Sequence, residues 1–185
     1  MMLFDSHMHT CFSTDSKMII SEAIARGQEL NIGITITEHM DFCYPEPMAF
    51  VFDVDKYFAE YNQYRSESVL LGIEIGMRSD CLAENCQLIE KYPFDYVIGS
   101  VHVVDNCDIY IPEFYQGRSK QEVYRQYFNA MLQCVKCYDG IHSLGHIDYI
   151  ARYAKFPDTE VYYHEFKEHI DEILTICGKI DHDGY

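Results

Sequence analysis

Gly33-Ile34-Thr35-Ile36-Thr37-Glu38-His39 is a run of β-branched residues that opens on a glycine and closes on a carboxylate and an imidazole. Such a run reads as a buried strand, and its ionisable residues stand at its carboxyl end. The same construction recurs on both sides of it. Residues 3–6 lead into His7-Met8-His9, and residues 69–75 contain Gly72-Ile73-Glu74. Residues 95–101 lead into Gly99-Ser100-Val101-His102, and residues 141–147 belong to Leu144-Gly145-His146-Ile147-Asp148. Residues 19–30, 53–67, 83–91 and 160–177 have helical composition between and after them. A further long helix is predicted from the Ser119–Glu122 capping-box pattern. Strand and helix alternate five times, the pattern of a parallel α/β sheet or barrel within one domain spanning residues 1–185.

The placement of the ionisable residues carries the functional reading. In an extended segment alternate side chains share a face, so His7 and His9 point the same way, with Asp5 beside them. Every predicted strand delivers a histidine or a carboxylate to its carboxyl end, which is where α/β barrels build active sites. Imidazoles mixed with carboxylates suit zinc, manganese or iron(II) better than magnesium or calcium. A carboxylate such as Glu74, set among histidines from several strands, can bridge two ions. There is no Gly-x-Ser-x-Gly elbow and no matching Cys/His pair, so metal-activated water is the economical mechanism.

Composition narrows the partners. With 14 basic and 30 acidic residues the net charge is −16, which argues against a nucleic-acid backbone as ligand. No apolar run reaches membrane-spanning length and no signal peptide is recognisable, so the reading is a cytoplasmic protein with eight reduced cysteines. Cys134-x-x-Cys137 lies in a helical stripe and reads as core packing.

The chain resembles the polymerase-and-histidinol-phosphatase (PHP) superfamily, most of all its monofunctional histidinol-phosphatase branch. The resemblance runs through Asp5-Ser6-His7-Met8-His9-Thr10, Ser13-Thr14-Asp15-Ser16, Ile36-Thr37-Glu38-His39, Leu71-Gly72-Ile73-Glu74, Phe94 to His102, and Leu144-Gly145-His146-Ile147-Asp148. It implies a distorted (β/α)7 TIM-like barrel with up to three divalent metals at its carboxyl mouth. By position, His7 and His9 would hold the first metal and Glu74 would bridge it to a second, completed by His102 and His146. His39 would hold the third, with Asp15 at or near it. Glu74, His102 and His146 would form the catalytic set through activation of water. Arg152 matches the family's phosphate-contacting arginine, whose planar guanidinium can meet two phosphate oxygens. The implied reaction is hydrolysis of L-histidinol phosphate, a step of histidine biosynthesis.

The chain also departs from that family. About five of seven βα units are recognisable, and the closing Asp-x-His motif is not found; Asp181-His182-Asp183 has the letters in another order. The expectation is therefore an incomplete barrel that holds fewer metals, with doubtful activity and open edges that invite homo-oligomers. A PHP phosphoesterase acting on another small phosphate, or a non-catalytic metal-binding or interaction protein, are the alternatives. The tyrosines and phenylalanines read as core and interface packing by default, with a substrate pocket around Tyr44 or Tyr110 as the alternative; His142 would face the mouth only if its strand stays regular, and His164 and His169 are read as solvated helix positions.

Overall fold

The computed structural model describes residues 2–180. Its main sheet holds β1 (Phe4–Met8), β2 (Gly33–Met40), β3 (Val69–Gly76), β4 (Tyr96–Ser100) and a short β7 (Ser143–Leu144), all parallel and neighbours in that order. β5 (Val103–Val104) and β6 (Cys107–Asp108) form a small antiparallel hairpin after β4. The helices are α1 (Ile20–Leu30), α2 (Val54–Tyr61), α3 (Leu82–Lys91), α4 (Lys120–Cys137), α5 (Tyr149–Tyr153) and α6 (Tyr163–Ile180).

The order of the sheet follows the order of the chain with no reversal. Right-handed crossovers that always step the same way put the helices on one face and leave the other for a barrel interior. The sheet is curled. β1 and β7 are its two edges, which in a flat sheet of this width would lie roughly 19 Å apart. The rings of His7, on β1, and His146, just beyond β7, are nevertheless 5.6 Å apart. The five strands thus form an open half-barrel whose strand ends converge.

Local sequence explains most boundaries. α1 stops at Asn31, which adopts φ 54° and whose N–H donates back to the last turn, a left-handed cap that asparagine tolerates. Ser119 accepts from the Glu122 N–H while the Glu122 carboxylate accepts from the Ser119 N–H, so the capping box opening α4 is present. α4 buries Val123, Tyr124, Tyr127, Phe128, Met131 and Cys134, while Cys137 is exposed. At its end Tyr138 donates to the Arg78 carbonyl at 2.6 Å and accepts from Asn85, tying α4 to the turn after β3. Burying aromatic side chains of this size contributes roughly 1.5–3 kcal/mol each.

Two expectations need correction, and the condition set on His142 is not met. The fifth strand is only Ser143–Leu144, so His146 stands on a turn beyond it. The last helix runs past Gly178 to Ile180 and carries a kink at Phe166. His142 does not face the mouth: its Nδ1 accepts the Val97 N–H at 3.0 Å, which binds the ring into the sheet against Tyr96. His164 is exposed, and His169 approaches Asn129 Oδ1 at 3.2 Å on the outer side of α4. Asp181-His182-Asp183 lies outside the described residues. Among the described residues no helix is long and apolar enough to cross a membrane.

Candidate metal centre

Glu74 is fully buried at the centre of the converging strand ends, and its carboxylate collects five imidazoles. Oε1 accepts from Ser100 Oγ at 2.6 Å and lies 3.0 Å from His146 Nε2 and 3.4 Å from His102 Nε2. Oε2 lies 3.1 Å from His7 Nε2, 3.4 Å from His9 Nε2 and 3.1 Å from His39 Nδ1. These residues come from β1 and the position just after it, from β2 and β3, and from the segments after β4 and β7, so the cluster exists only because the sheet curls.

The contacts to Oε2 are close without being hydrogen bonds. Glu74 Oε2, His39 Nδ1 and His102 Nε2 are buried and have no hydrogen-bond partner of acceptable geometry, as is Asp41 Oδ2. Buried polar atoms are ordinarily paired, since each orphan costs about 1–3 kcal/mol. Lone pairs that approach one another at 3.1–3.4 Å but aim past one another fit a cation between them. Three sets of ligand atoms lie within 4.8 Å of one another: His7–His9–Glu74, His39–Asp41–His102 and Glu74–His102–His146. Glu74 and His102 each belong to two sets. This imidazole-rich donor mixture suits zinc, manganese or iron(II).

Electrostatics agree with that reading. Burial would push the Glu74 carboxyl up, but the adjacent His102 charge and the close imidazoles, His146 hydrogen-bonded among them, hold it well below the usual carboxylate range. Burial likewise opposes charge on His39, yet the neighbouring carboxylates of Asp15, Asp41 and Glu74 raise it to about 9. His102 is raised as well: Asp41 and Glu74 outweigh its burial. His9 goes the other way, to about 4, through burial and the charge on His39, against which its ring stacks at 4.1 Å. Where no cation is bound, these upward shifts favour protons on His39 and His102 beside the carboxylates.

The structure brings together His7, His9, His39, Glu74, His102 and His146. Asp15 stands at the rim, half exposed, with Oδ2 3.6 Å from His39 Nε2. Asp5 is exposed and accepts from the His7 N–H, outside the cluster. Arg152 lies on α5, exposed, with its guanidinium 5.5 Å from the Tyr153 ring. Two residues escaped the sequence reading. Asp41, buried just beyond β2, approaches His102 Nδ1 at 2.8 Å; its signal was the two-residue spacing from His39, the same alternation that marks His7 and His9. Tyr149 stacks on His146 with ring centroids 4.4 Å apart and meets His102 edge-on at 5.3 Å, and it sits on a helix too short to leave a periodic pattern.

Residues 5–181 match the PHP domain. The chain is 53% identical over 173 residues to a probable histidinol-phosphatase of Clostridium acetobutylicum, covering 94% of this chain and 68% of that protein. It is 37% identical to the histidinol-phosphatase of Lactococcus lactis subsp. lactis, covering 92% of this chain and 65% of that one. The crystal structure of the Lactococcus lactis histidinol phosphate phosphatase, complexed with zinc, L-histidinol and phosphate, superposes with a TM-score of 0.90 at 33% identity, over 96% of this chain and 70% of that chain. A Listeria monocytogenes structure at 18% identity and TM-score 0.78 shares the fold. The chain spans about two thirds of the length of the curated relatives it matches.

Proposed function

Since the chain belongs to the PHP domain family, we propose that its histidine–carboxylate cluster is the metal centre of a phosphomonoesterase of histidinol-phosphatase type, acting on L-histidinol phosphate. One observation carries the reading: a buried carboxylate, Glu74, ringed by five imidazoles with orphaned lone pairs between them. The relative solved with zinc, L-histidinol and phosphate supports both the metal class and the substrate.

Divalent cations in such a cluster would activate a water and neutralise charge on the phosphoryl oxygens. The chain's own residues set the geometry. Glu74 offers one oxygen to the His7–His9 side and the other to the His102–His146 side, so it can bridge. Ser100 Oγ fixes the second oxygen through its 2.6 Å bond. Asp41 at His102 Nδ1 leaves Nε2 free to face Glu74, as a carboxylate behind a ligating imidazole does. Asp15 with His39 would close a third position at the rim. Arg152, exposed and on the helix that follows His146, is free to meet a phosphate.

The experiment is phosphate release by the 185-residue chain with zinc, manganese or iron(II), from L-histidinol phosphate and from unrelated small monoesters. The expected result is slow, metal-dependent turnover that favours L-histidinol phosphate. Tight metal binding with no turnover of any monoester would contradict the catalytic reading and leave a metal-binding protein.

A further inference from the structure

Glu38 is fully buried, yet it takes no part in the cluster, because neighbouring residues on β2 point to opposite faces and His39 takes the inner one. Its carboxylate is instead filled by the loop after β1. The Thr10 N–H donates to Oε1 at 3.0 Å and to Oε2 at 3.1 Å, the Thr10 hydroxyl donates to Oε1, and Ser13 Oγ donates to Oε2 at 2.5 Å. With its proton given to Glu38, the Thr10 hydroxyl accepts from Tyr61 at 2.8 Å. Ser13 Oγ also accepts from the His39 N–H at 2.9 Å, so one hydroxyl joins the loop to the backbone of a cluster histidine. A second tie, from Ser16 Oγ to the His9 carbonyl at 2.9 Å, closes the loop on itself.

This loop carries Asp15, two residues beyond Ser13, and begins at His9, whose ring stacks on His39. We propose that Glu38 is the positioning residue of the rim corner: it clamps residues 9–16 to β2 so that Asp15 faces His39 Nε2. The inference rests on reading Asp15 and His39 as metal ligands. A carboxylate suits the task because it is acceptor-only, whereas glutamine would present an N–H₂ to groups that all donate.

The test is a cobalt(II) titration of the metal-free 185-residue chain, read from visible absorption, on wild type and the variants Glu38→Gln, Ser13→Ala, Asp15→Asn and Glu38→Gln with Asp15→Asn. Glu38→Gln should weaken the rim equivalent by about ten- to a hundredfold, as loss of a supporting shell does, and leave the tighter equivalents at Glu74, His102 and His146 unchanged. The double variant should bind no more weakly than Asp15→Asn alone, because both changes act through one carboxylate. Uniform weakening of all equivalents, or additive losses in the double variant, would overturn the role and mark Glu38 as general scaffold. If Glu38→Gln does not fold, Ser13→Ala must show a smaller loss confined to the rim equivalent, and an unchanged isotherm overturns the role. An Asp15→Asn isotherm identical to wild type removes the ligand assignment and this role together. An effect of Asp15→Asn without one of Glu38→Gln removes this role only.

Discussion

Asp41 Oδ1 lies 2.8 Å from His102 Nδ1, and this contact decides which nitrogen of His102 faces Glu74. Both residues are buried and come from separate strand ends, so the bond also locks β2 to the segment after β4. Asp41→Asn keeps the shape but can present an N–H₂ to that nitrogen. Zinc affinity measured by chelator competition should fall about ten- to a hundredfold. Unchanged affinity would show that His102 is oriented by something else.

Gly76 is glycine because Asp41 occupies its side-chain space: a Cβ there would stand 2.2 Å from Asp41 Oδ1. Gly76→Ala should therefore displace Asp41 and copy the zinc-affinity loss of Asp41→Asn. It should also cost about 1–3 kcal/mol of stability in denaturant unfolding, from overpacking. A stability loss with normal zinc affinity would separate the two effects and refute the coupling.

Ser100 is the only hydroxyl among the described bonds to Glu74, and Gly145 leaves room for it, since a Cβ at 145 would lie 2.1 Å from Ser100 Oγ. Ser100→Ala frees one oxygen of a buried carboxylate. Zinc stoichiometry should hold, while affinity at the Glu74–His102–His146 set drops by up to about tenfold. Loss of all zinc would mean that Ser100 shapes the whole cluster.

The same residues show how far the sequence could be read. The alternation of strand and helix, and the histidine or carboxylate at each strand end, follow from periodicities of two and 3.6 residues, and the structure places His7, His39, Glu74, His102 and His146 around one point. What periodicity does not carry is curvature, so nothing in the chain announced that one carboxylate, Glu74, would touch histidines from both edges of the sheet. Asp41 was within reach of the His39-x-Asp41 spacing. His142 was conditional in the sequence, because alternation with Leu144 and His146 presumes a regular strand, and the observed strand is two residues long. Glu38 was legible only as part of a motif, since its partners Thr10 and Ser13 are joined to it by tertiary structure alone.

Proton balance gives a pH test on the metal-free chain. His39 rises from 6.5 to about 9 on folding and His102 rises too, so both gain protons in the folded state. The stability they contribute is complete below pH 6.5 and is lost as pH climbs through about 9. Metal binding requires those nitrogens unprotonated, so zinc affinity should climb over the same interval. Thermal melts between these limits should show Tm falling without metal and falling less, or rising, with saturating zinc. A flat metal-free profile would contradict the protonation pattern.

Whether Glu74 and its five imidazoles hold a metal can be tested directly. The most direct measurement is zinc per chain by elemental analysis after equilibration with zinc and exhaustive dialysis, for wild type and Glu74→Gln. The expected result is about one tightly held zinc or more in wild type and almost none in Glu74→Gln, with both chains folded by circular dichroism. Wild type that retains no zinc, or a Glu74→Gln chain that retains as much as wild type, would contradict it.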